Sequence, residues 1–390
     1  MAVIDAIVRL QDEMTRWRRD IHAHPELGFE EKRTSDLVAE KLRDFGLEVH
    51  HGIGKTGVVG VLRAGSAGRS VGLRADMDAL PIHEANTFAH RSRNDGRMHA
   101  CGHDGHTTML LGAAKYLADT RNFNGVVNFI FQPAEEGIGG ARAMIADGLF
   151  EKFPCDVVFG MHNRPGLALG KFAVRAGPMM AGGGFFDIRV TGKGSHGARP
   201  ESGVDPVLVA AHIVIALQSI VSRNVRPIDA AVVSVTKINA GDAYNVIPQT
   251  AQLSGTVRAF TREVMSLIEI AMRRVVKGTA EAFGATAEVD FRVIFAPTVN
   301  DAAQADFVAA VCAEFVGEDN VDRNPSLIVA SEDFSFMLEK VPGAYFNIGN
   351  GAGEDACEVH NPAYDFNDAA LALGASVFAR IVEKKLAKGS

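Results

Sequence analysis

A chain of 390 residues exceeds what one hydrophobic core usually supports, so two domains are expected, one of which can interrupt the other. Hydrophobic residues make up 47% and charged residues 22%, an ordinary globular balance that excludes a disordered or fibrous chain. The net charge is -7 with Lys and Arg scattered along the chain, which argues against nucleic acid and against a membrane surface as partners.

The opening MAVIDAIVRLQDEM carries acidic residues in place of a basic leader, and no apolar run is read as approaching the ~20 residues that span a bilayer. A cytoplasmic protein is the expectation. Cys101, Cys155, Cys312 and Cys357 are too few and too spread out for a disulfide framework, so reduced thiols are expected, one of which can hold a metal.

In chain order, helical patterns cover Ile4 to Ile21, Thr34 to Phe45 and His106 to Ala118. Strand-like apolar runs lie at Gly57 to Leu62, Val71 to Arg74, Val126 to Phe131 and Val157 to Gly160, several apolar enough to be buried on both faces. This alternation predicts an α/β domain with a mixed, mostly parallel sheet. AGPMMAGGG, near Gly177 to Gly184, reads as a linker or hinge. From Phe185 to about Phe295 follows a strand, a helix (Pro206 to Ser222), two strands (Ala231 to Ile238, Thr250 to Phe260), a helix (Val264 to Phe283) and a strand. That order is a βαββαβ, ferredoxin-like unit. Beyond Pro297, Ser331 to Leu338 and Asp368 to Lys385 read as helices and Tyr345 to Ile348 as a strand, so the tail is expected to rejoin the first domain. The expected division is residues 1–181 with 297–390 around an inserted domain at 182–296.

MHACGHDGH, Met98 to His106, brings one thiol and three imidazoles together just before a helical pattern. Cys101 and His103, separated by one residue, can reach one metal from a loop, and such ligands suit Zn, Mn, Co or Ni. A structural zinc site is the alternative, but no second CxxC or HxxxH accompanies the cluster. A thiol nucleophile at Cys101, partnered by His103 or His106, is a further rival that would work without metal. In FQPAEEGIGGA, Glu135 and Glu136 follow the apolar run VVNFIF, at the strand end where open α/β sheets bind ligands. Two adjacent carboxylates there can divide metal binding and proton transfer, or can simply favour a helix start. Asp76 and Asp78 of RADMDALP end another strand; one of them can orient a metal-bound histidine, or both can be turn residues before Pro81. His162 of FGMHN ends a strand and His360 of VHNPAYDF lies in a distant loop.

Taken together, RRDIHAHPELGFEE, RADMDALP, MHACGHDGH, PAEEG, GMHN, GKGSHGARP, NVIP, SEDFS and HNPAYDFND resemble the M20 metallopeptidase family across nearly the whole chain. The cysteine of ACGHDGH, where many members carry a carboxylate, is similar to the amidohydrolase branch with hippurate hydrolases, acetyldiaminopimelate deacetylases and auxin-conjugate hydrolases. The resemblance implies a hydrolase of N-acyl amino acids, with dipeptidase activity the nearest alternative. It implies a two-metal centre held by Cys101, His103, Glu136, His162 and His360, with Glu135 as general acid and base and Asp78 in support. It further implies that the inserted domain is a lid through which a homodimer or higher homo-oligomer forms. His196 contributes there to the active site, from its own subunit or its mate, Asn245 of NVIP touches substrate, and Arg258 is a candidate partner for a substrate carboxylate.

Overall fold

The computed structural model describes residues 3–353 and 356–388. The chain divides into two compact units: one takes residues up to Gly177, Asn300–Ser326 and Asp333 onward, the other Pro178–Val299 and Leu327–Glu332.

The first unit is built on an eight-stranded mixed sheet. Its order is Glu48–Ile53, Gly57–Ala64, Gly125–Gln132, Ser70–Asp76, Val157–Pro165, Gly343–Gly351, Phe172–Ala173 and Val321–Asp322. The four central strands, from Gly125–Gln132 to Gly343–Gly351, run parallel, while the Glu48–Ile53 and Gly57–Ala64 hairpin is antiparallel. Alternate residues share a face of a strand, and one such set (Leu73, Phe129, Phe159, Met161, Phe346, Ile348) is wholly buried. It joins the apolar sides of the Lys32–Asp44, His103–Thr120, Ala302–Val316 and Leu371–Lys385 helices in one continuous core. The other set includes Arg74, Gln132 and His162, so polar side chains enter the sheet on that face.

Two local expectations change. Ile4 to Ile21 forms two helices, Asp5–Val8 and Gln11–Ala23. Ser331 to Leu338 is helical only over Ser335–Leu338, because the Asp333 carboxylate is engaged by Gln132 Nε2 (2.7 Å) and the Ala141 N–H (2.9 Å), which holds the preceding chain out of a helix.

In the second unit, Ala231–Ala240, Thr250–Ala259, Gly182–Thr191 and Thr286–Phe295 form an antiparallel four-stranded sheet in that order. The Pro206–Ser219 and Arg262–Ala282 helices cover it with a core of their own. Each starts with a defined cap: Asp205 accepts from the Val207 and Leu208 N–H groups ahead of Pro206, and Thr261 accepts from that of Val264. The expectation about apolar runs needs correction here. Pro206–Asn224 is long and apolar enough to cross a membrane, with about a third of it buried. His212, Gln218 and Arg223 break its sequence into shorter apolar pieces, which hid its length.

Candidate metal centre

Apart from His360, in the loop that follows the Gly343–Gly351 strand, the candidate ligands of the first unit and the Asp78 beside them come from four places that the parallel sheet brings together. Ser70–Asp76 runs into Asp78, Gly125–Gln132 into Glu135 and Glu136, and Val157–Pro165 carries His162. The fourth is the loop before the His103–Thr120 helix. Gly102 caps that helix at φ 87°, and a Cβ on it would meet Asn163 Oδ1 at 2.3 Å and Tyr364 Oη at 2.7 Å. Glycine is required both by the left-handed backbone and by this close approach.

His103 is fixed by Asp78. Its Nδ1–H donates to the Asp78 carbonyl (2.9 Å) and lies 3.1 Å from Oδ1, which leaves a buried Nε2 with no hydrogen-bond partner among the described residues. The other Asp78 oxygen accepts from the Glu136 N–H at 3.0 Å, so one carboxylate orients two candidate ligands. His162 donates from Nδ1 to the Asn163 carbonyl (2.6 Å), turning Nε2 toward Cys101 Sγ at 3.4 Å. His360, at the non-glycine φ of 65°, is pinned by its N–H to the Ala100 carbonyl (2.7 Å) and places Nε2 3.2 Å from Glu136 Oε1. The result is a set of overlapping groups whose ligand atoms lie within 4.8 Å of one another: Cys101, His103 and His162; Cys101, Glu136 and His360; His103, Glu135 and Glu136. Cys101 is common to the first two.

The charges fit a cation. Burial, then the carboxylates of Glu136, Glu135 and Asp76, push the Cys101 thiol well above its usual range. Burial would lower His103, but Asp76, Asp78 and Glu136 overcome it and raise the imidazole to about 10. Burial beside His106 drives His162 well below its usual value. A buried thiol amid carboxylates, next to an imidazole nitrogen with no hydrogen-bond partner among the described residues, is the donor set a divalent metal resolves, because the metal replaces protons that these groups otherwise retain.

Sequence reading named His106 and Asp76 but not their partners, and it missed Arg74. His106 does not face the Cys101 group with a free nitrogen: Nδ1 donates to Asp76 Oδ1 (2.6 Å) and Nε2 accepts from the Asn163 N–H (3.0 Å). Burial raises Asp76, but His103, Arg74 and His106 hold it well below the usual carboxylate range. Arg74, 1% exposed, donates to Asp76 (2.6 Å) and Gln132 (2.8 Å) and reaches Asp333. The available signal was a charged residue inside an apolar strand, VGLRAD.

The remaining candidates lie in the second unit. His196 and Asn245 are exposed neighbours, since Ser195–His196 pairs with Val246–Ile247 and the Gly197 N–H donates to the Asn245 carbonyl at 2.7 Å. Arg258 folds back on its own strand, donating to Thr256 Oγ1 (2.6 Å) and the Val257 carbonyl (2.8 Å).

A two-unit α/β fold with a thiol, imidazoles and paired carboxylates at parallel strand ends defines a divalent-metal hydrolase. The chain belongs to peptidase family M20/M25/M40, whose profile matches residues 72–384. It is 48% identical to the hippurate hydrolase of Campylobacter jejuni, spanning 99% of this chain and 100% of that protein. It is 41% identical to an IAA-amino acid hydrolase of Arabidopsis thaliana over 96% of this chain and 86% of that protein. Among solved structures, a dinuclear metal-binding M20 peptidase of Bacillus subtilis superposes with a TM-score of 0.85 at 34% identity, covering 97% and 99% of the two chains.

Proposed function

We propose that the chain hydrolyses the amide bond of N-acyl L-amino acids, with acetyl, benzoyl or a similar acyl group, to a carboxylate and a free amino acid. That it is a metal-dependent amidohydrolase with a small-molecule substrate follows from the family and the donor set. The acyl-amino-acid class is supported by the activities for which its relatives are named. The observation that carries the reading is the Cys101 thiol shared between two ligand groups, with Glu135 in a third that overlaps them.

Cys101, His103, Glu136, His162 and His360 would hold two divalent ions, and Mn, Zn, Co and Ni suit this set. Bound there, the metal would supply an activated water and polarise the scissile carbonyl. Glu135, 6% exposed, takes the water proton and hands it to the leaving amine, helped by the low dielectric of its surroundings. Asp78 keeps His103 in the tautomer that offers Nε2 and braces the Glu136 backbone. His196 donates to the developing oxyanion, Asn245 touches substrate, and Arg258 offers its guanidinium to the substrate carboxylate. The site is cytoplasmic.

The test is release of free amino acid from N-acetyl, N-benzoyl and indoleacetyl amino acids and from dipeptides, with chelator and with Mn or Zn restored. Cleavage of acyl amino acids that chelator abolishes and metal restores is expected. Exclusive cleavage of dipeptides would replace the reading with a dipeptidase, and chelator-resistant, iodoacetamide-sensitive turnover would move it to Cys101 as nucleophile.

A homodimer is assigned to the second unit. Ile215 and Ile270 on its helices are 70% and 67% exposed, and Ala231–Ala240 is an edge strand on which Val232 and Ile238 are exposed. Ile215→Asp is expected to convert the dimer to a monomer in sedimentation velocity; a variant that stays dimeric places the interface elsewhere.

A further inference from the structure

The N-terminal motif HPELGFEE supplies no candidate ligand, yet it touches both loops that carry the carboxylates. Glu31 is completely buried. One of its oxygens accepts from the Ala134 N–H at 2.8 Å and the other from the Thr56 hydroxyl at 2.6 Å. Ala134, the residue before Glu135, is itself buried and sits at φ 52°, a left-handed conformation that a non-glycine residue keeps only when its surroundings hold it there. Gly28 packs against the same residue: a Cβ on it would lie 3.0 Å from both Ala134 Cα and Cβ, and 2.5 Å from Ile138 Cδ1. At the other end of the motif, the Glu26 carbonyl accepts from the Ala79 N–H (2.8 Å), one residue past Asp78. The Glu26 carboxylate accepts from the Arg33 and Thr34 N–H groups at 3.0 and 2.9 Å, tying the segment to the start of the Lys32–Asp44 helix.

We propose that Glu31 is a positioning residue for amide hydrolysis: by holding the Ala134 peptide in its left-handed turn, with Gly28 packed behind it, it aims the Glu135 carboxylate for proton transfer. It touches neither substrate nor metal. The proposal rests on the reading of Glu135 as the base. A buried N–H needs an acceptor in any fold, but a purely structural role would show as lost stability or lost metal. Misaiming a general base lowers kcat and leaves KM and metal content alone, since small displacements of a proton acceptor have large rate effects.

The experiment compares Glu31→Ala, Glu31→Gln, Gly28→Ala and Glu135→Gln by kcat, KM, metal bound per chain and melting temperature. Glu31→Ala is expected to lower kcat by about 10- to 100-fold with KM and metal content close to native. Glu31→Gln, whose amide oxygen still accepts from Ala134, is expected to recover most of that loss. Gly28→Ala, pushing on Ala134 from the other side, is expected to fall as Glu31→Ala does. Native kcat in folded Glu31→Ala, or a Glu31→Gln defect as large as that of Glu31→Ala, overturns the proposal. If Glu31→Ala does not fold, native kcat in Gly28→Ala overturns it. Turnover persisting in Glu135→Gln would instead remove the base assignment, whereas a dead Glu135→Gln beside a native Glu31→Ala removes the brace alone.

Discussion

Glu135→Gln is expected to retain its metal and to lose turnover by about 10²- to 10⁴-fold, the range typical of a lost general base. The substitution keeps size and leaves the candidate ligands untouched. What shapes this turn is backbone: the Ala134 N–H on Glu31 and the Glu136 N–H on Asp78. An amide accepts no proton near neutral pH, so kcat falls while KM stays near native. The neighbour is the control. Glu136 lies in the group with Cys101 and His360. Glu136→Gln is therefore expected to lower metal occupancy first, and to regain part of its activity when metal is added in excess. Elemental analysis beside steady-state kinetics separates the two. A Glu135→Gln enzyme near native rate would move the base elsewhere, and equal metal loss in both variants would dissolve the division of labour between them.

The parts of this architecture that were legible in the sequence are those whose signal is local. Parallel strands buried on both faces read as apolar runs, so VVNFIF and its neighbours pointed to the sheet, and its strand ends pointed to Asp76, Asp78 and Glu135. Cys101 and His103 stood out because they are two residues apart. His360 did not stand out from spacing alone; only the resemblance linked it to the others, and the fold brings it to Glu136 through its bond to Ala100. Glu31 and Arg18 were illegible for a physical reason. A buried charge is spelled like a surface charge until its partners are known, and two partners of Arg18, Asp365 and Asp368, lie some 350 positions away. The exposed apolar helix face of the second unit was lost for the converse reason, since an apolar helix residue reads as core whether or not anything covers it.

Arg18→Met is expected to destabilise the first unit by about 3–5 kcal/mol, the usual loss when one partner of a buried ion cluster is removed. The Arg18 side chain is 1% exposed and donates from Nε to Asp368 (2.7 Å) and from Nη1 to Asp365 (2.7 Å), with Asp104 at 3.5 Å. Without it, three carboxylates face one another, and what still engages them is weaker: His22 through Nδ1 to Asp104 at 2.8 Å, His90 through Nε2 to Asp365 at 3.1 Å and the more exposed Arg19 at Asp368. Arg19 binds the same Asp368 at 2.9 Å but is half exposed, so Arg19→Ala is expected to change stability by no more than about 1 kcal/mol. The cluster also predicts a basic limb. Burial lowers His22, but Asp104 and Glu84 overcome it and hold the imidazolium to about 9 against an ordinary 6.5. Because the folded value is raised, this stabilisation is complete below 6.5 and disappears as pH climbs through 9, a loss of about 3 kcal/mol. Arg18 opposes the His22 proton, so Arg18→Met should move that limb to still higher pH even as it lowers the whole curve. Denaturant melts at pH 6.5, 8 and 9.5 measure both effects, and a wild-type curve that stays flat over that interval would mean that His22 is neutral in its cluster.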